Sequence, residues 1–176
     1  MEVAAHMICE GLVAEGLKIA QAVYQRYDGK RANPFNHVEC GNYYTRSMSS
    51  WGIMIAVSGY ELNVPEGSLC FLPKICREDF KIPFLAYFGW GIFSQKKGAH
   101  SLKVSITMEE GFFRLKKLGV QGNFQDDAIT VKAISRGGNL SLSYRSDREK
   151  NCLWIILGKE CSLIKETVLE ILVEEK

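Results

Sequence analysis

The feature that most constrains this chain is a change of pattern near residue 60. Before it, apolar residues recur at helical spacing. After it, the sequence breaks into short runs of β-branched and aromatic residues divided by turn-formers. One type of secondary structure cannot serve both halves, because side chains return to the same face after about 3.6 residues on a helix and after about 2 on a strand. The expectation is an α+β protein, with an N-terminal αα-hairpin over residues 1–60 and an antiparallel β-sandwich-like domain over residues 61–176.

Residues 2–26 read as one amphipathic helix, with Ile8, Leu12, Ile19 and Val23 on one face and Glu15, Lys18, Gln21 and Gln25 on another. Gly11 and Gly16 fall inside it; each costs about 1 kcal/mol relative to Ala, so the pattern predicts close approach to a neighbouring element. Tyr27-Asp28-Gly29 ends the helix. A second helix is expected over 42–58, stopped by Gly59, a residue suited to the left-handed position after a helix. Residues 51–57 are apolar all round and are expected in a core, whereas Tyr43, Arg46, Ser47 and Ser50 form a polar end that would face a cavity.

In the second half, strands are expected at 68–72, 80–88, 91–94, 101–108, 111–115, 129–134, 140–144, 152–157 and 168–173. A terminal helix over 165–175 competes with the last of these, and the strand is favoured. The expected turns are Pro65-Glu66-Gly67, Glu109-Glu110-Gly111, Arg136-Gly137-Gly138-Asn139 and Arg145-Ser146-Asp147-Arg148.

The densest polar chemistry lies between the two expected helices. An Asn33-Pro34 turn leads through Phe35, Asn36, His37 and Glu39 to Tyr43, Tyr44 and Arg46, with Arg46 between Tyr43 and Ser50 at helical spacing. These neighbours can satisfy a partly buried guanidinium and leave donors for a hydroxylated ligand. A structural alternative stands beside this: Arg46 and Glu39 as an ion pair orienting the hairpin, and His37 held by backbone. Trp51 and Trp90 are expected to pack in the core rather than to form a sugar platform. The acidic pairs Glu78-Asp79, Glu109-Glu110 and Asp126-Asp127 fall at turns and read as solvated charges.

A net charge of +2 gives no field for nucleic acid, and Lys96-Lys97 and Lys116-Lys117 are isolated pairs, so no nucleic-acid partner is expected. The six cysteines form no C-x-x-C pair and read as reduced, and with His6, His37 and His100 scattered no metal site or cofactor is expected. The N-terminal apolar stretch is interrupted by His6 and Glu10, so neither a signal peptide nor a membrane span is expected, and the cytoplasm is the expected location.

The polar stretch also carries a resemblance. The run Tyr27-Asp28-Gly29-Lys30-Arg31, then Asn33-Pro34-Phe35-Asn36, Glu39-Cys40-Gly41, Tyr44, Arg46, Ser47-Met48-Ser49-Ser50-Trp51-Gly52 and Ser58-Gly59 resembles the C-terminal end of the catalytic domain of glycoside hydrolase family 116, the non-lysosomal, bile-acid-type β-glucosidases and glucosylceramidases. Weaker similarity reaches back to Val3 and forward through Phe71, Pro73, Asp79-Phe80 and Gly89-Trp90-Gly91 to about Gln95. The resemblance implies that the hairpin is a remnant of an (α/α)6 toroid. It also implies that Arg46 matches an arginine holding glucose hydroxyls, that Glu39 matches a family glutamate, and that His37 stands where the family's partnering acid is usual. An imidazole hydrogen-bonds a hydroxyl but does not accept as a carboxylate does. Tyr43 would line the same substrate pocket.

Retaining glycosidases need two carboxylates about 5 Å apart, and in the family these belong to segments upstream of the part matched here. No catalytic residue is therefore assigned. The chain is expected to be the C-terminal portion of a family-116-like β-glucosidase, inactive by itself. It would be a fragment or subunit that binds a β-glucoside or related glycan only when an upstream polypeptide completes the barrel. The alternative is a free-standing β-sandwich module that binds a carbohydrate or a protein.

Overall fold

The computed structural model describes residues 1–32, 48–122, 124, 129–135, 138–147, 151–165 and 167–175, with Met48 described by its backbone alone. The chain forms two compact units, Met1–Gly59 and Tyr60–Lys176.

The first unit holds three helices, α1 (Glu2–Cys9), α2 (Val13–Arg26) and α3 (Met48–Ser58). The single helix expected over 2–26 is thus two. Gly11 takes a φ of 89°, its N–H bonds Ile8 O, and the Leu12 N–H reaches Met7 O. This is the Schellman pattern, which ends a helix on a left-handed glycine. Gly16 behaves as the sequence predicts: a Cβ there would lie 2.6 Å from Ala4 O and 2.7 Å from Ile8 Cγ1, so α2 crosses α1 with the backbones close. A Cβ at Gly52 would lie 3.5 Å from the Ala5 side chain, where α3 meets α1. Gly59, at φ 55°, ends α3 as expected. The expected start of that helix at residue 42 lies outside the described residues.

Apolar surface in this unit is only partly covered. Ala4, Ile8, Ala56 and Val57 are buried, and of α2 only Gly16 is. The expectation that 51–57 is core fails at Trp51, 44% exposed, and Ile55, 42% exposed. No helix among the described residues is long and apolar enough to cross a membrane.

The second unit is built from ten strands: β1 (Glu61–Asn63), β2 (Ser68–Phe71), β3 (Asp79–Ala86), β4 (Phe88–Lys97), β5 (Ser101–Gln121), β6 (Ile129–Ser135), β7 (Gly138–Asn139), β8 (Leu142–Asp147), β9 (Cys152–Ile164) and β10 (Val168–Glu175). They link into one hydrogen-bonded system rather than two separate sheets. β5 is its spine. Its first half pairs with β4 and β10, and its second half with β9 and, in parallel, with β2. The other pairings between these strands are antiparallel. The C-terminal segment is a strand, as favoured.

Two expected turns are strand instead. Glu109-Glu110-Gly111 is a bulge within β5 rather than a break: Trp90 pairs with Glu110 and Gly91 with Met108, leaving Glu109 extra, and Glu110 accepts from Lys165 Nζ at 2.7 Å. The two strands read at 101–108 and 111–115 are therefore one. Arg145-Ser146-Asp147 continues β8, which pairs only with β9 among the described residues. A half-exposed edge strand accepts polar side chains that would be costly in a central one.

The core follows the period-2 pattern. In β3, Phe80, Ile82 and Phe84 are buried while Lys81 and Leu85 face out. Phe71 stacks on Phe93 with centroids 4.0 Å apart and planes 9° apart, and Phe84 meets Phe71 edge-on at 5.5 Å. Full burial of each such ring contributes about 1.5–3 kcal/mol. Cys70 and Cys152 are buried with sulfurs 4.0 Å apart, flanking Gly119 and packing as small hydrophobes.

Candidate functional site

The four residues singled out from the sequence, His37, Glu39, Tyr43 and Arg46, lie outside the described residues. Of the flanking positions, Asp28 is described. Its carboxylate accepts from the backbone N–H groups of Lys30 (2.9 Å) and Arg31 (3.1 Å), which hold its pKa below the usual carboxylate value. This is a self-satisfied turn rather than a chemical group awaiting a substrate. The acidic pairs read as solvated are so where they are described: Asp79 and Glu78 are exposed and face Lys96 and Lys97 at 3.8 and 3.7 Å. Asp126-Asp127 lies outside the described residues.

Within the β unit, the geometry brings together a group that the sequence reading passed over. Ala86 pairs with Gly89, so the β3–β4 hairpin turns at Tyr87 and Phe88. Neither residue takes a positive φ, so the turn does not call for Gly, Asn or Asp at these positions and accepts two aromatic residues. Phe88 then pairs with Phe112 across β4 and β5 and stacks on it, with centroids 4.9 Å apart and planes 11° apart. Tyr87 stands edge-on to Phe88 at 4.5 Å. Close strand approach makes the stack possible. Gly111 takes a φ of 75°, and a Cβ there would fall 1.7 Å from Phe88 O.

The three rings remain open to solvent, Tyr87 at 71%, Phe88 at 55% and Phe112 at 37%. Beside them on β5 are Arg114 and Lys116. Lys116 sits where the β5–β9 register shifts, with Leu115 opposite Cys161 and Lys117 opposite Ile156. The additional β9 residues accommodated by this shift include Glu160, whose oxygens lie 3.8 Å from Arg114 Nε and 3.7 Å from Lys116 Nζ. Together with the β1–β2 turn at Val64, Pro65 and Gly67, these groups line a cleft of about 480 Å³. That volume is within the roughly 300–1,000 Å³ usual for small-molecule sites.

A second depression, of about 340 Å³, is bounded by Arg77, Gln95, Ser101, Gln121 and Asn151. Gln95 donates to Arg77 O at 2.8 Å, while Gln95 Oε1 and Gln121 Oε1 are buried and accept no hydrogen bond among the described residues. Among the described residues no cluster of three or more His, Cys, Asp or Glu side chains offers a metal site.

The signal for the aromatic cleft was present as two doublets, Tyr87-Phe88 and Phe112-Phe113, each bordered by a glycine. Both were absorbed into strand predictions, because aromatic residues are also what strands favour. The assignment of Trp90 to the core is corrected too: it is 40% exposed, at the bulge between Trp90 and Gly91.

No known family profile matches the chain. No curated protein matches it either. Among solved structures, the fold is distantly similar to alpha-L-rhamnosidase from Dictyoglumus thermophilum, with a TM-score of 0.41 and 9% identity. The similarity covers 73% of this chain and 13% of that one, so the matched part is a small share of the enzyme's length.

Proposed function

We propose that the chain is the C-terminal portion of a glycoside hydrolase of the family-116 type. In this reading its helical unit is a remnant of an (α/α)6 toroid, and His37, Glu39, Tyr43 and Arg46 contribute part of the sugar pocket. The reacting carboxylates belong to the toroid's other hairpins, on the same polypeptide or a companion. The sequence motif around Arg46 motivates this reading, and one structural observation carries it: the helices leave their own apolar surface uncovered. Residues 51–57 of α3 are apolar all round, a composition that belongs inside a larger helical assembly, yet Trp51 and Ile55 are exposed, as are Leu12 and Tyr24 beside α1 and on α2. The neighbouring helices of a toroid would cover such a surface.

The test is complementation. The chain is mixed with a polypeptide supplying the remaining hairpins of a family-116 barrel, and release of an aryl group from an aryl β-glucoside is followed. Turnover is expected only in the mixture, with loss on Arg46→Ala and loss of association on Trp51→Glu with Ile55→Glu. Hydrolysis by the chain alone, or a mixture that neither associates nor turns over, would overturn the reading.

A further inference from the structure

We propose that the aromatic cleft of the β unit is a binding site for a neutral pyranose ring, separate from any pocket on the helical unit. Three observations converge on it. Tyr87 and Phe88 sit at the tip of the β3–β4 hairpin and both remain largely exposed. With Phe112 they form one contiguous aromatic patch rather than scattered single residues, and it is a contiguous patch that marks a binding surface.

The rings are also fixed rather than loose. Phe88 is braced against Phe112 by the parallel stack, and Tyr87 by its edge contact, so a ligand meets a pre-ordered surface and little side-chain freedom is lost on binding.

The polar groups at the edge supply the other half of the recognition. Arg114, Lys116 and Glu160 place two donors and one acceptor group next to the rings, at charge separations of 3.8 and 3.7 Å. Those distances are too long for hydrogen bonds, and the side chains are largely exposed, so their hydrogen-bonding capacity remains open to a ligand. A ligand suited to this surface needs an apolar face to lie on an aromatic ring and, at its periphery, groups that both donate and accept. A pyranose has both: C–H bonds on its faces and hydroxyls around its edge. An aliphatic chain would desolvate the charged groups without offering them a hydrogen bond, which is unfavourable. A polyanion would be drawn to Arg114 and Lys116 but repelled by Glu160, whereas a neutral ring meets all three without repulsion. The neutral hydroxylated ring is the class that uses every group.

The proposal concerns the β unit alone and stands whether or not the helical unit completes a toroid. The test is a titration of the isotope-labelled full chain with cellobiose, then with methyl β-D-glucopyranoside and methyl α-D-mannopyranoside, followed by amide NMR shifts. Saturable shifts are expected at Phe88, Phe112, Lys116 and Glu160 for at least one of them, with a Kd on the order of 1 mM. Tyr87→Ala, at an exposed position, and Phe88→Leu, which keeps an apolar side chain but removes the ring, are each expected to weaken binding about tenfold. Phe88→Tyr is expected to retain it. The proposal is overturned if no saccharide shifts these amides at tens of millimolar, if only an apolar probe such as cyclohexanol does so, or if Phe88→Leu binds as tightly as the parent. Because the readout comes from residues of the β unit, these outcomes are distinct from failure of barrel complementation.

Discussion

At the scale of single residues, Tyr60 shows how local environment sets a measurable property. Its hydroxyl donates to Leu85 O, its ring packs against Phe71 at 5.3 Å, and burial pushes its pKa up to about 12 from 10.0. The folded state therefore keeps its proton where the unfolded state has lost it. Below pH 10 both states are protonated and the contribution is fully present; as pH rises through 10 toward 12 the unfolded chain binds fewer protons and stability declines. In Tyr60→Phe that part of the alkaline decline is expected to disappear, read by denaturant midpoints across pH 8 to pH 12. A mutant curve that falls as steeply as the parent's would show that the phenol is not the group responsible.

At the scale of elements, the two glycines near the N-terminus explain what could and could not be read from sequence. Both looked like interruptions of one helix. Gly16 is a contact: Ala4 O and Ile8 stand where its side chain would be. Gly16→Val is therefore expected to force α1 and α2 apart and to destabilise the helical unit by about 1–3 kcal/mol, measured as lost helical circular dichroism on heating. Gly11→Ala should act instead through the left-handed backbone, as nothing lies within 4 Å of it. Periodicity is identical for the two roles, so sequence alone predicts that the glycines matter and not how. The strands show the same limit. Alternation of Phe80, Ile82 and Phe84 made β3 legible, and the apolar residues of β10 favoured a strand over a helix. The glutamates of β5 were misread because solvent-facing strand positions and turns share a polar composition. Four residues of the predicted sugar pocket lie outside the described residues, whereas the aromatic cleft depends on which turn Tyr87 occupies and which strand lies opposite Phe88. Such pairings depend on register, which turn geometry and the bulge at Trp90/Gly91 set together with the local pattern, so alternation alone does not name the partner.

For the whole molecule, the contrast between the units predicts unequal resistance to opening. The β unit contains most of the fully buried large side chains, including Phe71, Phe93, Leu115 and Ile155, whereas Ile8 is the one in the helical unit among the described residues. Local opening follows buried contact, so amides of α2 and α3 are expected to exchange hydrogen much faster than those at the centre of β5, by several powers of ten. Equal protection across both units would show that the helices are held by more than their own packing.

The long shared strand also governs how the sheet can assemble. β5 must join β2 in parallel and β10 in antiparallel fashion, and these ladders unite residues roughly fifty or more positions apart, so hairpins such as β3–β4 and β8–β9 can form locally but the sheet is completed only when distant segments meet. Closure entropy has to be met before those contacts contribute, which places refolding on the slow, millisecond-to-second side. During that interval the unpaired edges of β5 are the surfaces most open to association with another copy, and dilution or a holdase is the condition under which recovery should be greatest.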